Sequence, residues 1–275
     1  ERGPVSAIRQ LGRHVLVAAG ARMSVLHWNA QAQSLIPIGF FEATTHIVSV
    51  ALVESARHTF LAVGDMYHSV QLLVWREEDH QLKMVGRDYE AAEAYSSGLL
   101  VSVPALGVVT TDRHRNLKVL QYMPAAAEAR GGNKLLCQAD FNLGSHVTAL
   151  LPRPAPPNRL GRRRSALLLG TLDGSLGMLL PVDERVFRRL YALQGIMSNA
   201  LEHTAAANPR GARLFAEPGF RAAARRTGMK GMLDGTVLWR FPGLDARVQT
   251  ELTRAIGTTV DTVLANLLEI DLAAV

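Results

Sequence analysis

The sequence predicts a mainly β fold, a partial β-propeller of about four blades of a larger ring, followed by a C-terminal α-helical domain. Two observations predict it. A strand–turn–strand unit recurs along the first two thirds of the 275 residues, at the spacing of propeller blades. After Pro181 the apolar residues recur at nearly every fourth position instead of every second. We therefore expect blades over residues 1–181 and helices over residues 182–275.

The repeated unit has four copies. Each contains an apolar run ending in Gly or Asp, and the runs occupy residues 14–20, 60–65, 106–112 and 167–174. Each run leads through a tight turn into a second apolar strand, at residues 24–28, 69–75, 116–122 and 175–181. Turn residues between two β-rich runs are typical of hairpins.

Further strands surround these hairpins. One is expected before each hairpin, at residues 5–11, 47–53, 99–105 and 147–151, and an outer strand after the first three, at residues 34–41, 81–88 and 134–141. Four strands in each unit indicate a blade, although a β-sandwich with irregular spacing is the alternative. No Trp-Asp dipeptide closes the third strands, so this is not a standard WD40 array.

The fourth blade is expected to differ from the others. Residues 153–164 are rich in Pro and Arg, and we interpret them as a basic, solvated loop between two of its strands. Where the outer strand is due, residues 184–190 have the apolar spacing of a helix. The missing strand should therefore come from a segment upstream in a longer protein.

Three helices are predicted after Pro181. The first carries one apolar face, formed by Val182, Val186, Phe187, Leu190, Leu193, Met197 and Leu201. The second ends at Gly257 and is marked by Val248, Leu252 and Ile256. The third begins with a capping box in which Thr258 reaches Asp261. Its expected buried residues are Val263, Leu264, Leu267 and Leu268.

The amino-acid composition indicates a folded protein without a membrane span or an internal disulfide. The apolar content of 48% is enough for one large core or two domains. No run reaches the roughly 18 apolar residues that a membrane span needs, so we expect a soluble protein. The sequence opens at Glu1 without Met or signal peptide, which indicates a piece of a longer chain. A single cysteine, Cys137, excludes an internal disulfide and favours a reducing compartment.

No catalytic, cofactor or metal site is predicted. The nine histidines never form the His-Glu-x-x-His spacing of a zinc protease. Residues 170–177 are glycine-rich but lack the Lys and the following helix of a phosphate-binding loop, so a hairpin turn is expected there. Asp65, Asp112 and Asp173 occupy equivalent turns, which predicts that they cap turns rather than form an acid/base pair. We therefore do not expect an enzyme.

Basic residues are the remaining candidates for contact with RNA or a protein partner. The net charge is +6, and Lys and Arg gain affinity for nucleic acid by releasing counterions from phosphates. The candidates form one cluster in the Pro/Arg loop and another in the helical region, and they are Arg153, Arg159, Arg162, Arg163, Arg164, Arg210, Arg213, Arg225 and Arg226. The alternative is that these side chains only form a solvated surface.

Short motifs occur in a characteristic order along the chain. They include Thr110-Thr111-Asp112, Thr171-Leu172-Asp173-Gly174, Asn208-Pro209-Arg210, Leu233-Asp234-Gly235 and Ile256-Gly257-Thr258-Thr259. In order and spacing they resemble the C-terminal region of the CPSF A subunit family, the largest subunits of the cleavage and polyadenylation specificity factor. The Asn-Pro-Arg and Ile-Gly-Thr-Thr motifs favour this family over the related damaged-DNA-binding proteins.

The resemblance implies a nuclear, non-catalytic scaffold in pre-mRNA 3′-end cleavage and polyadenylation. It implies as partners a WD-repeat subunit and a zinc-finger subunit that read the polyadenylation signal, and a nuclease module, with contact to pre-mRNA being indirect. Two alternatives stay open. One is a direct RNA-binding module that uses the Arg clusters, and the other is a propeller adaptor of the damaged-DNA-binding, ubiquitin-ligase kind.

Overall fold

The computed structural model describes residues 3–55, 58–158, 160–203, 208–214 and 230–274. In these residues antiparallel strands come first and α-helices follow, which confirms the predicted fold class. No helix in the described part of the chain is long and apolar enough to cross a membrane.

The first two blades are separate four-stranded sheets. In the first the order is β1 (Val5–Leu11), β2 (His14–Ala19), β3 (Arg22–Asn29) and β4 (Ser34–Glu42). In the second it is β5 (Ile47–Glu54), β6 (Thr59–Asp65), β7 (Val70–Arg76) and β8 (Gln81–Arg87). Neighbouring strands in both sheets are antiparallel, as consecutive hairpins require.

The third and fourth blades share one sheet, because Arg164 pairs with Ser102. The third blade contains β9 (Ala94–Ser102), β10 (Ala105–Asp112), β11 (Asn116–Gln121) and β12 (Leu136–Asn142). The fourth contains only β13 (Val147–Ala155), β14 (Arg164–Thr171) and β15 (Leu176–Leu179). The first strands of successive blades lie side by side, in the order β1, β5, β9 and β13.

Each contact between neighbouring blades has its own apolar core. Leu16 and Met23 of the first blade pack with Leu61 and Leu73 of the second. Comparable clusters join the second blade to the third and the third to the fourth. Apolar side chains at both ends of the array face solvent in the described residues, since Ile8 of β1 is 59% exposed and Leu176 of β15 is 89% exposed.

The hairpins lie where the repeat predicts them, but two segments of the prediction are wrong. The strand expected at residues 99–105 is β9, which ends at Ser102, because Ser102 pairs with Ala105 across a turn that contains Pro104. The loop expected at residues 153–164 is shorter at both ends, since residues 153–155 continue β13 and pair with residues 164–166 of β14. Proline is tolerated there because β13 is an edge strand, with no further strand beside it among the residues that the structure describes.

The helical part follows β15. It contains α1 (Glu184–Ala200), α2 (Pro209–Ala212), α3 (Gly235–Leu238), α4 (Ala246–Ala255) and α5 (Val260–Ala274). Its core is formed by Val186, Leu190, Leu193, Met197, Val237, Leu238, Phe241, Leu252, Val263 and Leu267. The helix expected in place of an outer strand is α1, so the fourth blade has three strands in the described residues.

Two details of the last helix differ from the prediction. The hydroxyl that accepts from the backbone in the first turn belongs to Thr259, which bonds the N–H of Thr262, and the cap therefore lies one residue after Thr258. Leu267 is 4% exposed as expected, but Leu268 is 58% exposed. A side chain next to the buried position points about 100° away around the helix, and here Asn266 takes the second inward position.

Candidate partner-binding surface

The carboxylates at the hairpin turns are structural, as predicted. Asp65 accepts hydrogen bonds from the N–H groups of Thr45, Tyr67 and His68. Burial alone would raise the pKa of Asp65, but these bonds and that from the Thr45 hydroxyl outweigh it and hold the pKa below its ordinary value. Asp112 and Asp173 accept from backbone N–H groups in the equivalent turns. These side chains therefore tie turns to their blades.

A histidine–carboxylate network that the sequence did not reveal joins the first two blades. The Nε2 atom of His14 lies 3.0 Å from Oε1 of Glu77, and Trp75 donates its indole N–H to Oε2 of the same carboxylate at 2.7 Å. The hydrogen bond from Trp75, aided by His14 and Arg13, lowers the pKa of Glu77 to about 2. In the described residues, no group of three or more His, Cys, Asp or Glu side chains could hold a metal ion.

Two arginines of the first basic cluster hold the structure together. Arg164 is buried, and its guanidinium donates to the carbonyl oxygens of Pro156 at 2.7 Å and Pro181 at 3.2 Å. It thereby connects the start of the Pro/Arg loop, at Pro156, to the segment between β15 and α1, at Pro181. Arg153 donates to the carbonyl oxygen of Ala274 at 3.4 Å and so contacts the end of α5.

Arg213 of the second cluster clasps the helical part to the propeller. Its Nε donates to Oδ2 of Asp234 at 2.9 Å, and a terminal nitrogen donates to the carbonyl oxygen of Leu143 at 3.0 Å. The guanidinium also lies 4.9 Å from the ring centre of Phe141. Asp234 in turn caps α3 through the N–H of Thr236. Arg213 therefore connects the loop after β12 to Asp234 of the helical core.

A second joint follows along β12. In an antiparallel bridge the N–H of Asp140 donates to the carbonyl oxygen of Lys230 at 3.1 Å, and the N–H of Lys230 donates to the Asp140 carboxylate at 3.0 Å. Burial raises the pKa of Asp140, although this hydrogen bond opposes the shift. A Cβ on Gly231 would lie 2.2 Å from the carbonyl oxygen of Gln138, so only glycine lets the chain approach the strand this closely.

The remaining candidate arginines do not gather at one point. Arg162 and Arg163 are exposed in the shortened loop, and Arg210 is exposed on α2 beside α1. Arg159, Arg225 and Arg226 lie outside the described residues.

A cleft lies between the third blade and the start of the helical part. Its volume is about 920 Å³, and it brings Arg162 together with Arg185 and Arg189 of α1. Sequence reasoning missed these two helix residues, although their spacing of four places them on one helical face. A second cavity of about 880 Å³ lies beside it, along β15 and Arg213, and is mostly apolar.

The cleft is built on a loop that Asn158 organises. The side-chain oxygen of Asn158 accepts from the N–H groups of Leu160 and Arg162, and its amide nitrogen donates to Asp183 at 3.0 Å. The opposite side is fixed by the hydrogen bond from the N–H of Val103 to the carbonyl oxygen of Arg163. Both walls are therefore held by hydrogen bonds between segments that are distant in the sequence.

Comparison with known proteins identifies the family. A family model described as the CPSF A subunit region matches residues 1–242. The chain belongs to the CPSF A subunit family.

Curated relatives agree with this assignment. The chain is 33% identical over 271 residues to cleavage and polyadenylation specificity factor subunit 1 of Arabidopsis thaliana, and 31% identical over 275 residues to the probable subunit 1 of Oryza sativa subsp. japonica. It is 30% identical over 281 residues to subunit 1 of Drosophila melanogaster. Each match covers 98% of this chain and 18% of the relative, so the chain spans under a fifth of their length.

The motifs that carry the family resemblance lie at structural joints. Asp234 of Leu-Asp-Gly holds Arg213, and Asn208 of Asn-Pro-Arg caps α2 and donates to the Ser198 carbonyl oxygen on α1. Gly257 of Ile-Gly-Thr-Thr has a φ of +67°, which lets the chain turn between α4 and α5. In this member of the CPSF A subunit family, these motifs fix how the helices pack.

Proposed function

We propose that this chain is part of a nuclear, non-catalytic scaffold subunit in pre-mRNA 3′-end cleavage and polyadenylation. Residues 1–181 would supply propeller blades and residues 182–275 a helical domain fixed to them. The partners would be a WD-repeat subunit and a zinc-finger subunit that read the polyadenylation signal, together with a nuclease module. Membership of the CPSF A subunit family is the observation that carries this proposal.

The joints between blades and helices support a scaffold role. A scaffold must hold its binding surfaces in fixed relative positions. A guanidinium group that donates hydrogen bonds to carbonyl oxygens of another segment fixes the relative position of the two segments. Arg213 and Arg164 are both used in this way. The direct RNA-binding alternative loses these two candidate arginines, since a guanidinium that donates to internal carbonyl groups is not available to phosphates.

Recovery of partners from nuclear extract tests the proposal. The full-length protein with an affinity tag should recover the zinc-finger reader, the WD-repeat subunit and the nuclease module. A tagged protein with Asp234→Ala should recover fewer helical-side partners, because Arg213, which bonds the Leu143 carbonyl oxygen of the propeller, loses the carboxylate that anchors it in the helical core. Recovery of a cullin without these subunits would instead favour the ubiquitin-ligase adaptor.

A further inference from the structure

We propose that the cleft lined by Arg162, Arg185 and Arg189, here called the arginine cleft, binds an extended peptide segment that carries acidic and apolar side chains. The inference goes beyond the scaffold role, because it assigns a specific surface and the chemistry of its occupant. It can also fail while the scaffold role stands.

The arginine side chains of the cleft are complementary to a negatively charged partner. Within the described residues, none of these three guanidinium groups makes a hydrogen bond or an ion pair. Arg189 is half-buried, and a partly desolvated cation without a partner is costly. The carboxylates at the cleft are already engaged, since Glu184 pairs with Arg188 at 2.6 Å and Asp183 accepts from Asn158.

The N-terminal end of α1 adds to the positive electrostatic potential of the cleft. The positive end of the α1 dipole lies at the cleft, and Asp183 at its N-cap makes no side-chain capping hydrogen bond. Arg185 and Arg189 project from the same face of this helix, one turn apart. An acidic residue placed between them would meet two donors and the helix end together.

The apolar part of the arginine cleft distinguishes a peptide from a nucleic acid. Val103 is 45% exposed and Leu160 is 71% exposed, and the third blade adds Leu100, Pro104 and Val119. None of the described lining residues is aromatic, whereas single-stranded RNA is normally held by stacking its bases on aromatic rings. In an extended peptide, alternate residues point to opposite sides, so acids can face the arginines while apolar side chains face the blade.

The size and rigidity of the arginine cleft suit such a segment. Its volume of about 920 Å³ is in the range of well-formed ligand pockets. The hydrogen bonds of Asn158 and of Val103 hold both walls before a partner arrives, which lowers the ordering cost of binding.

Peptide titration with the full-length protein tests the proposal. The probe is a fluorescent peptide of about ten residues in which Glu and Leu alternate. Its first control is the same peptide with Gln in place of Glu, and its second is a uridine oligonucleotide of similar length. We expect the Glu peptide to bind at least about tenfold more tightly than the Gln peptide, because charged hydrogen bonds are worth more than neutral ones.

Variants locate the binding to the arginine cleft. Arg189→Ala should weaken the Glu peptide by about tenfold and Arg185→Ala by about two- to fivefold, following their burial. Arg163→Ala is the matched control in the same loop as Arg162 and should change affinity less than about twofold, since the exposed Arg163 side chain does not line the cleft. The double variant Arg185→Glu, Arg189→Glu should bind a Lys–Leu peptide instead.

Several results would overturn the inference. These are no binding of the Glu peptide, equal binding of the Gln peptide, or an equal loss in Arg163→Ala. Tighter binding of the oligonucleotide that Arg189→Ala removes would assign the cleft to nucleic acid. Recovery of subunits from nuclear extract is a separate measurement, so failure of the titration would leave the scaffold proposal untouched.

Discussion

Replacing Arg213 by Ala should undock the helical part from the propeller. The side chain is 21% exposed and its partner Asp234 is 5% exposed, so the pair is largely shielded from water. The change removes a charged hydrogen bond to Asp234, a donor to the Leu143 carbonyl oxygen and the contact with Phe141. It also leaves the Asp234 carboxylate buried without its cation.

The size of the effect follows from these contacts. A hydrogen bond to a charged group contributes about 1.5–3 kcal/mol, a cation–π contact about 1 kcal/mol, and breaking a buried pair costs about 3–5 kcal/mol in total. Because the pair keeps some solvent contact and Thr236 still donates to Asp234, we expect a loss of about 3 kcal/mol in the free energy of local opening. That is roughly a hundredfold increase in the opening equilibrium constant.

Native-state hydrogen exchange measures this locally, without requiring the whole protein to unfold in one step. The N–H groups of Asp234 and Thr236 are suitable reporters, since both are hydrogen-bonded at the joint. Arg210→Ala is the matched control, because Arg210 is exposed on α2, the short helix that ends just before Arg213, and should cost less than about 0.5 kcal/mol. Protection losses in the two variants that differ by less than about 0.5 kcal/mol would refute the reasoning.

Four further predictions concern other parts of the chain. Leu267→Asp should cost about 3–5 kcal/mol in unfolding and Leu268→Asp less than about 1 kcal/mol, and equal thermal shifts would contradict the observed helix face. The pKa of Glu77 is about 2, below its ordinary 4.5, so its ion pairs stabilise the protein above pH 4.5 and are lost as pH falls toward 2. The loss of folding stability between pH 4.5 and pH 2, followed by tryptophan fluorescence, should therefore be smaller in Glu77→Gln. An equal loss of stability in both proteins would show that the Glu77 ion pairs do not contribute to it. RNA binding measured by anisotropy should be weak, and should fall about a hundredfold between roughly 50 and 200 mM salt if about five phosphates are neutralised. Salt-insensitive, sequence-specific binding would contradict that expectation. Residues 1–275 expressed alone should aggregate or unfold with little cooperativity and be rescued by an upstream segment, because the edge of β15 is unpaired in the described residues. A monodisperse, cooperatively unfolding protein would show that this expectation is wrong.

The blades were predictable because their signals are local. Alternating apolar residues and a turn carboxylate specify a hairpin within about a dozen residues, so Asp65 and Asp112 could be assigned as turn caps before any contact was known. The apolar face of α1 was predictable for the same reason, since Leu190 and Leu193 repeat with the helical period. The switch from strand to helix after Pro181 was predictable because the spacing of apolar residues changes there from every second to nearly every fourth position.

The roles of the basic residues were not predictable in this way. A run of Pro and Arg is typical of a loop, yet Arg153 lies in an edge strand and Arg164 is buried. Local composition does not show that this segment is an edge strand, where proline is tolerated. Whether a strand lies at the edge depends on strands elsewhere in the sheet. Leu268 was misassigned because a run of two leucines leaves the inward position ambiguous by one residue.

The sequence by itself determined the repeated hairpins, their turn caps, the helical end and the family. These depend on neighbours along the chain and on the order of motifs. Only the tertiary structure decided which arginines donate to internal acceptors and which have no hydrogen-bond partner at a cleft within the described part of the chain. The Asp234 partner of Arg213 lies 21 residues away, and the Ala274 carbonyl oxygen that the exposed Arg153 reaches lies 121 residues away. Burial and pairing depend on the chain's distant segments, which are brought together only when the blades and helices pack.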